Sequence, residues 1–571
     1  MKSRSVSAVV AAVSVAAVVT AIPLGLRVLA PGPAQAGPGP VITGASVGIP
    51  QTWNTAAPGT PSGTGGQPTV GDTWYNTWGA DGDIYATSDD TDGFTGTCSS
   101  NFAVNELAGA TAGSLTSPYV NCMTSYGPGG SKGNYGDGRT WKTDGIISVD
   151  GTLYVVVTRQ DDGFGGYPVG FQPSDDASII KSADDGQTWS NSFGTTDDPG
   201  GAAPPPSTTG TGAQAMFPGT SFPTPEFIQY GQDDNPASTA DGGNTYVYAM
   251  SNDGFAYDGN YYILGRVLRS QIADLNAADW QFYDGPPGGN GMNPANWSSD
   301  PANATHVLSA PHQLSQASIV YDQPLHTYIL ASAYFPFTAS WPGAGTGSAS
   351  TWDFFEAPHP WGPWTRFFNQ ASSECYFGCH SSSDESVAWY DPALVSKFIS
   401  MGGLGTTVLS AADFGQSERP DDYTYRLHAF PFTLSTAAGH VVDDSVAFPP
   451  GVTGTGTWTD SYEDSSYFDD TVHYSQVAGS SLSYTFTGDS IAWVGTRNVN
   501  HGYASVSIDG GTPALVDTYA PQWELGQVLF TSGQLPEGKH TITITVTAQK
   551  DSASAGTYED IDAFIVGGSG H

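Results

Sequence analysis

Hydrophobic and polar positions between residues 70 and 435 follow one short pattern five times: an apolar strand, a tight turn carrying Asp, and a second strand rich in Tyr and β-branched residues. The copies read TWGADGDIYATSDD, IISVDGTLYVVVTRQDD, YGQDDNPASTADGGNTYVYAMSND, SIVYDQPLHTYILASAY and VAWYDPALVSKFISMGG. Alternation with period two marks strands, and the Asp, Asn and Gly clusters mark the turns between them. A hairpin of this kind cannot bury both faces alone, so successive units must stack radially. The pattern therefore predicts an all-β chain with a five-bladed β-propeller over 70–434. In that architecture the innermost strands all begin at one end of a shared funnel, and the polar residues there are candidates for a site.

From Val441 to Val566 the alternation becomes stricter, in SLSYTFTG, SIAWVGT, ASVSIDGG, HTITITVTAQ and DIDAFIV. This predicts a second domain over 441–569, a C-terminal β-sandwich of jelly-roll type. Residues 37–69 are rich in Gly, Pro and Thr and read as a linker or N-terminal arm. The segments 200–214 and 341–350 read as long loops over a rim. QIADLNAADW, residues 271–280, has the only marked helical pattern. SADDGQTW, residues 182–189, matches an Asp-box, a hairpin turn in which Asp184 accepts backbone N–H bonds, Gly186 takes a positive φ and Trp189 packs between sheets. Its role is structural.

The N-terminus changes the setting. Lys2 and Arg4 precede an apolar run from Val6 to Leu26, and Ala34-Gln35-Ala36 follows, which is the layout of a secretory signal peptide over 1–36. An uncleaved N-terminal anchor is the rival reading, and either places the body outside the cytoplasm. Four cysteines suit an oxidising compartment, and proximity suggests Cys98 with Cys122 and Cys375 with Cys379. Their spacing does not suit zinc, so no metal is assigned. The formal net charge of −38 argues against nucleic acid and anionic membrane surfaces as partners. A monomer acting on a polysaccharide is the expectation.

Strand direction sorts candidate site residues onto the upper face. The first unit offers Asp72, Asp89, Asp90 and Asp92; the second, Lys142, Asp144 and Arg159; the third, Glu226; the fourth, His312, Gln316 and Tyr334; the fifth, Glu385. Trp74, Trp78 and Trp141 are candidate sugar platforms. A funnel crowded with carboxylates suits glycoside hydrolysis, in which one protonated carboxyl delivers a proton to the leaving oxygen and one carboxylate activates water or attacks the anomeric carbon. Asp72 and Asp90 are the first pair, Asp89 substitutes for Asp90, and Asp144 and Glu226 are further catalytic candidates. No cofactor is required, although Asp89, Asp90 and Asp92 are also compatible with a structural calcium. In the C-terminal domain Tyr503, Tyr519 and Trp523 are candidate stacking residues.

GDTWYNTWGADGDIYATSDDTDGF, GIISVDGTLYVVV, GRVLRSQIADLNAADWQFYDG and EAPHPWGPWTRF together resemble a family of secreted bacterial five-bladed propellers long labelled a domain of unknown function, which includes endo-D-arabinanases. The likeness spans about residues 70–434. It implies an inverting hydrolysis with two aspartates as acid and base, and the matching positions here are Asp72 and Asp90. NHGYASVSIDG, LPEGKHTITITV and SAGTYEDIDAFIV resemble the jelly-roll carbohydrate-binding modules appended to secreted glycosidases. Two other readings stay open: a noncatalytic carbohydrate-binding propeller, and a polysaccharide lyase built on His312, Tyr334 and Arg159. A sialidase would need an arginine cluster and a sixth blade, and neither is visible.

Overall fold

The computed structural model describes residues 42–48, 50–52, 68–129, 138–161, 172–191, 196–197, 215–335, 350–371, 389–400, 403–412, 425–436, 439–444, 451–462, 471–521, 524–533, 535–536 and 538–567. These fall within one compact unit, Pro38–His571. The chain is all-β. Five antiparallel meanders follow one another, each opening with a short buried first strand. In the first, Val70–Asp72 and Asn76–Trp78 pair with Ile84–Gly93, followed by Ser100–Leu107 and Val120–Asn121. The second runs Thr140–Val149, Thr152–Gln160, Ser174–Ser182 and Trp189–Ser190, with Thr196–Asp197 outside. The third begins at Glu226–Gln229, the fourth at Ser318–Asp322 and the fifth at Trp389–Leu394. Ile, Val and Tyr on facing sheets supply the cores between them, as the alternating pattern requires.

The first strands touch in a ring. Ser148 N donates to Thr77 Oγ1 at 3.0 Å, and Gly145 N donates to the Pro225 carbonyl at 3.0 Å. Glu226–Gln229 pairs in parallel with Ser318–Asp322. Leu394 N donates to Ser318 Oγ at 3.0 Å, and Asn76 Nδ2 donates to the Leu394 carbonyl at 3.3 Å, which closes the circuit. Thr77 Oγ1 also donates to Gln229 Oε1 at 2.8 Å, and Gln229 Nε2 to the Ile146 carbonyl at 2.6 Å. A hydrogen-bonded polar layer thus crosses the axis midway along the first strands.

Within the stretch expected to be a linker or N-terminal arm, Ile42–Val47 and Gln51–Thr52 pair with His428–Thr436 and complete the fifth sheet from outside. One expectation is corrected. The stretch 271–280 forms two 3₁₀ turns, Ile272–Asp274 and Ala277–Asp279, because Leu275 turns left-handed and the Asn276 side chain caps Ala278 N instead of continuing a helix. Gly439–Asp443 joins the fifth sheet to Ala563–Gly567, Ser490–Arg497 and Glu524–Thr531. These strands and a five-stranded sheet led by Val452–Thr455 enclose one core around Trp493, Phe486, Ile542 and Phe564.

The Asp-box forms as expected. Asp184 accepts from Thr188 N at 2.9 Å, Thr188 Oγ1 at 2.6 Å and Ser182 Oγ at 2.8 Å, while Trp189 is buried between the first two sheets. Cys98 and Cys122 form a disulfide. Cys375 and Cys379 lie outside the described residues, as do the signal segment, Glu385 and Trp523.

Candidate active site

Each first strand delivers a polar side chain to the same end of the ring, two or more residues before the hydrogen-bonded layer. Asp72 comes from the first sheet, Asp144 from the second, Glu226 from the third and Asp391 from the fifth, and Gln316 stands just ahead of the fourth. Three of these strands slip register at the carboxylate, between Val70 and Asp72, Thr143 and Ile146, and Tyr390 and Ala393. A bulge re-aims a side chain that regular alternation would send elsewhere. At Gly145 a Cβ would lie 2.7 Å from the Pro225 carbonyl oxygen and 3.0 Å from Glu226 Cα, so only glycine lets the second strand bring Asp144 beside Glu226. Asp90 and Asp391 hold left-handed backbone, φ +42° and +47°. Non-glycine residues bear such conformations at a cost of about 1–3 kcal/mol and tend to do so at functional positions.

The second strand of the first sheet adds Asp89 and Asp90. Lys142 Nζ lies 2.5 Å from Asp90 Oδ2. Burial alone would lower the lysine's pKa, but Asp90, Asp72 and Asp89 around it raise it instead. Asp89 is fully buried, opposite Asp72 in the register, and accepts from Thr143 N at 3.0 Å and Thr143 Oγ1 at 2.8 Å. Burial pushes it up to about 8, against the opposing pull of Lys142. Asp72 is pushed up to about 6, first by burial and then by Asp90, while Lys142 and the Tyr390 and Tyr425 hydroxyls act the other way. Tyr390 Oη donates to Asp72 Oδ2 at 2.9 Å.

Burial followed by the neighbouring carboxyls holds Asp144, Glu226 and Asp391 well above the usual carboxylate range. For Glu226 those neighbours are Asp144, Asp391 and Asp89. Tyr257 Oη donates to Asp391 Oδ2 at 3.1 Å, while neither carboxylate oxygen of Asp144 has a hydrogen-bond partner among the described residues. Burial thus favours the neutral form of these carboxyls. Asp72 and Asp90 remain half-buried while Asp89, Asp144, Glu226 and Asp391 are buried.

The structure thus gathers Asp72, Asp89, Asp90, Lys142, Asp144, Glu226 and Gln316. It does not gather every candidate. Trp74 and Trp141 are fully buried in the core between sheets, with Trp74 Nε1 donating to the Gly71 carbonyl, so neither ring offers a face to a sugar. The Arg159 guanidinium is buried 4.7 Å from the centre of the Trp141 ring and donates to the Arg139 carbonyl. Trp78 lies beyond the polar layer, at the far end of the ring. His312 is exposed, with Nδ1 3.0 Å from Asp258 Oδ1, and Asn369 Nδ2 reaches the Tyr334 hydroxyl at 3.4 Å at the end of the fourth sheet's second strand.

Five residues of this end escaped the sequence reading: Tyr75, Tyr257, Tyr390, Asp391 and Tyr425. Asp391 was visible in the fifth repeat copy, where Asp-Pro reads as a turn; the bulge makes it part of the first strand instead. Among the described residues, Asp81, Asp83 and Glu106 are the one group of acids whose oxygens could converge on a cation, and they lie at the turn end, away from Asp89, Asp90 and Asp92.

No family model matches the chain. Over 90 residues, 16% of its length, it is 39% identical to an A type blood N-acetyl-alpha-D-galactosamine deacetylase and to an A type blood alpha-D-galactosamine galactosaminidase, both of Flavonifractor plautii. The matched stretch covers 11% and 8% of those proteins, far less than two thirds of either. Solved structures that it resembles include an exo-beta-1,3-galactanase from Phanerochaete chrysosporium, at 13% identity and a TM-score of 0.30 over 92% of this chain and 100% of that one. The catalytic domain of a Coprinopsis cinerea GH62 alpha-L-arabinofuranosidase matches at 11% identity and a TM-score of 0.33, over 69% and 98% of the two chains. Likeness this slight decides nothing about activity.

Proposed function

We propose that this protein is a secreted, monomeric glycoside hydrolase in which the five meanders are the blades of a propeller and the C-terminal sheets a carbohydrate-binding sandwich. The observation that carries this reading is the pair Asp72 and Asp90, half-buried above a floor of buried carboxyls, one raised to about 6 and the other paired with Lys142. Asp72 acts as general acid and delivers its proton to the glycosidic oxygen as the anomeric C–O bond breaks. Asp90 acts as general base and takes a proton from the water whose oxygen forms the new bond. The two residues return to their starting states by proton exchange with solvent. Lys142 pairs with Asp90, and Tyr390 orients Asp72.

Burial that favours the neutral form of Asp89, Asp144, Glu226 and Asp391 limits the negative charge of the cluster, which suits a neutral polysaccharide better than a uronate. The resemblance to endo-D-arabinanase propellers makes an arabinan the first substrate to try. The purified protein is to be assayed for new reducing ends on mycobacterial arabinogalactan, plant arabinan and a uronate polymer, with ultraviolet detection of unsaturated products. Reducing ends from a neutral polymer are expected. Absorbing products would replace the hydrolase with a lyase, and silence with retention of the protein on one of these glycans would leave a binding protein.

A further inference from the structure

The other end of the ring holds a cavity of about 650 Å³, lined from four of the five sheets. That volume lies within the range of roughly 300–1,000 Å³ usual for small-molecule sites. Its walls come from the ends of the first strands or the turns beyond them: Trp78 from the first sheet, Tyr230 and Gln232 from the third, Tyr321 and Gln323 from the fourth, and Ser396 from the fifth. The layer formed by Thr77, Ser148 and Gln229 separates it from the carboxyl cluster.

Its chemistry is unlike that of the other end. The Trp78 indole is half-buried and fixed by a bond from Nε1 to the Gly82 carbonyl at 3.2 Å, while the Tyr230 and Tyr321 rings, 5.6 Å apart, are buried in the core beneath the cavity. Gln232 Nε2 is tied to the Ala80 carbonyl at 3.1 Å, while the buried Ser396 hydroxyl has no hydrogen-bond partner. No Lys or Arg lines the cavity. Its one carboxylate, Asp233, already accepts from Ser148 Oγ at 2.8 Å and Gly151 N at 3.0 Å. A half-buried indole with amide groups around it, and no unpaired charge among the lining residues, matches the apolar face and hydroxyl edges of a sugar.

We infer that this cavity is a second, noncatalytic site for a neutral oligosaccharide, at the end of the ring opposite the carboxyl cluster. It would hold a chain without cleaving it, since no pair of half-buried carboxyls faces it. The inference stands whether or not the first site hydrolyses anything.

The test is a titration of the full-length protein labelled with 5-fluorotryptophan, followed by fluorine NMR. The Trp78 resonance is assigned by its loss in Trp78→Phe, and the probes are arabinotriose, galactotriose, xylotriose and maltotriose. At least one trisaccharide is expected to shift the Trp78 resonance saturably. Gln323→Arg, at an exposed turn position, crowds the mouth without touching a core contact and is expected to weaken that binding about tenfold. A Trp78 resonance that none of the four moves, or a shift that Gln323→Arg leaves at the same affinity, overturns the site. Tetramethylammonium serves as a control, and a response to it in place of the sugars would make this an aromatic cage for a cation and likewise overturn the proposal.

Discussion

At the residue scale, what distinguishes this cluster is how unevenly its carboxyls are treated. Asp72 and Asp89 face each other in one register pair, yet burial raises Asp72 only to about 6 and Asp89 to about 8, with the Tyr390 and Tyr425 hydroxyls drawing Asp72 down. If Asp72 is the acid, it must carry its proton to work. The rate on soluble substrate is therefore expected to be lost as pH rises through about 6, and a pH profile of kcat/KM checks the direction. A rate that instead rises through that pH would make Asp72 the base. The acids themselves were legible from strand direction alone, since Asp72, Asp90, Asp144 and Glu226 all reach one end. The tryptophans were not, because a residue beside a catalytic strand points either into the funnel or into the core, and alternation fails where the strand bulges.

At the element scale, the first strands act as a set. Together they bring polar residues to the site at one end and supply the hydrogen-bonded layer in their middle, and the first strands of every sheet but the second lead to the turn-side cavity. The repeat was readable because its turns use Asp and Gly, but the bulges were not, since an extra residue in a strand leaves no compositional mark. Hence Asp391 was not among the candidates read from the sequence. The Asp-box is the opposite case: its bonds are local, so its sequence specifies its shape completely. Three donors meet Asp184, and their hydrogen bonds hold its carboxyl below the usual range against the opposing effect of partial burial. Asp184→Ala is expected to cost about 1–2 kcal/mol in urea unfolding while leaving activity on a soluble oligosaccharide unchanged. No measurable loss of stability would mean that the turn holds its shape without the carboxylate.

At the scale of the whole molecule, described segments from both the N-terminal and the C-terminal parts of the chain extend the fifth sheet. Residues 42–52 close the fifth sheet, and Gly439–Asp443 carries that sheet into the C-terminal strands, where Val494, Ala563 and Ile565 share a core with Phe430 and Phe432. The sequence marked two domains by a change in alternation. It carried no sign that they share a sheet, because pairing partners far apart in sequence leave no local signal. Truncation after residue 436 uncovers that shared core, at roughly 1.5–3 kcal/mol for each large apolar side chain exposed. The truncated protein is expected to melt well below the full chain, and an unchanged melting temperature would make the C-terminal part an independent module.

The account rests most directly on Asp72 and Asp90. Asp72→Asn and Asp90→Asn, each verified as folded by near-ultraviolet circular dichroism and thermal melting, are to be assayed for reducing ends on whichever polymer the wild type cleaves. Each is expected to lose about 10²–10⁴-fold in kcat with binding of the polymer retained. Turnover near the wild-type rate in both variants would contradict the assignment and move the chemistry to Glu226 and Asp144.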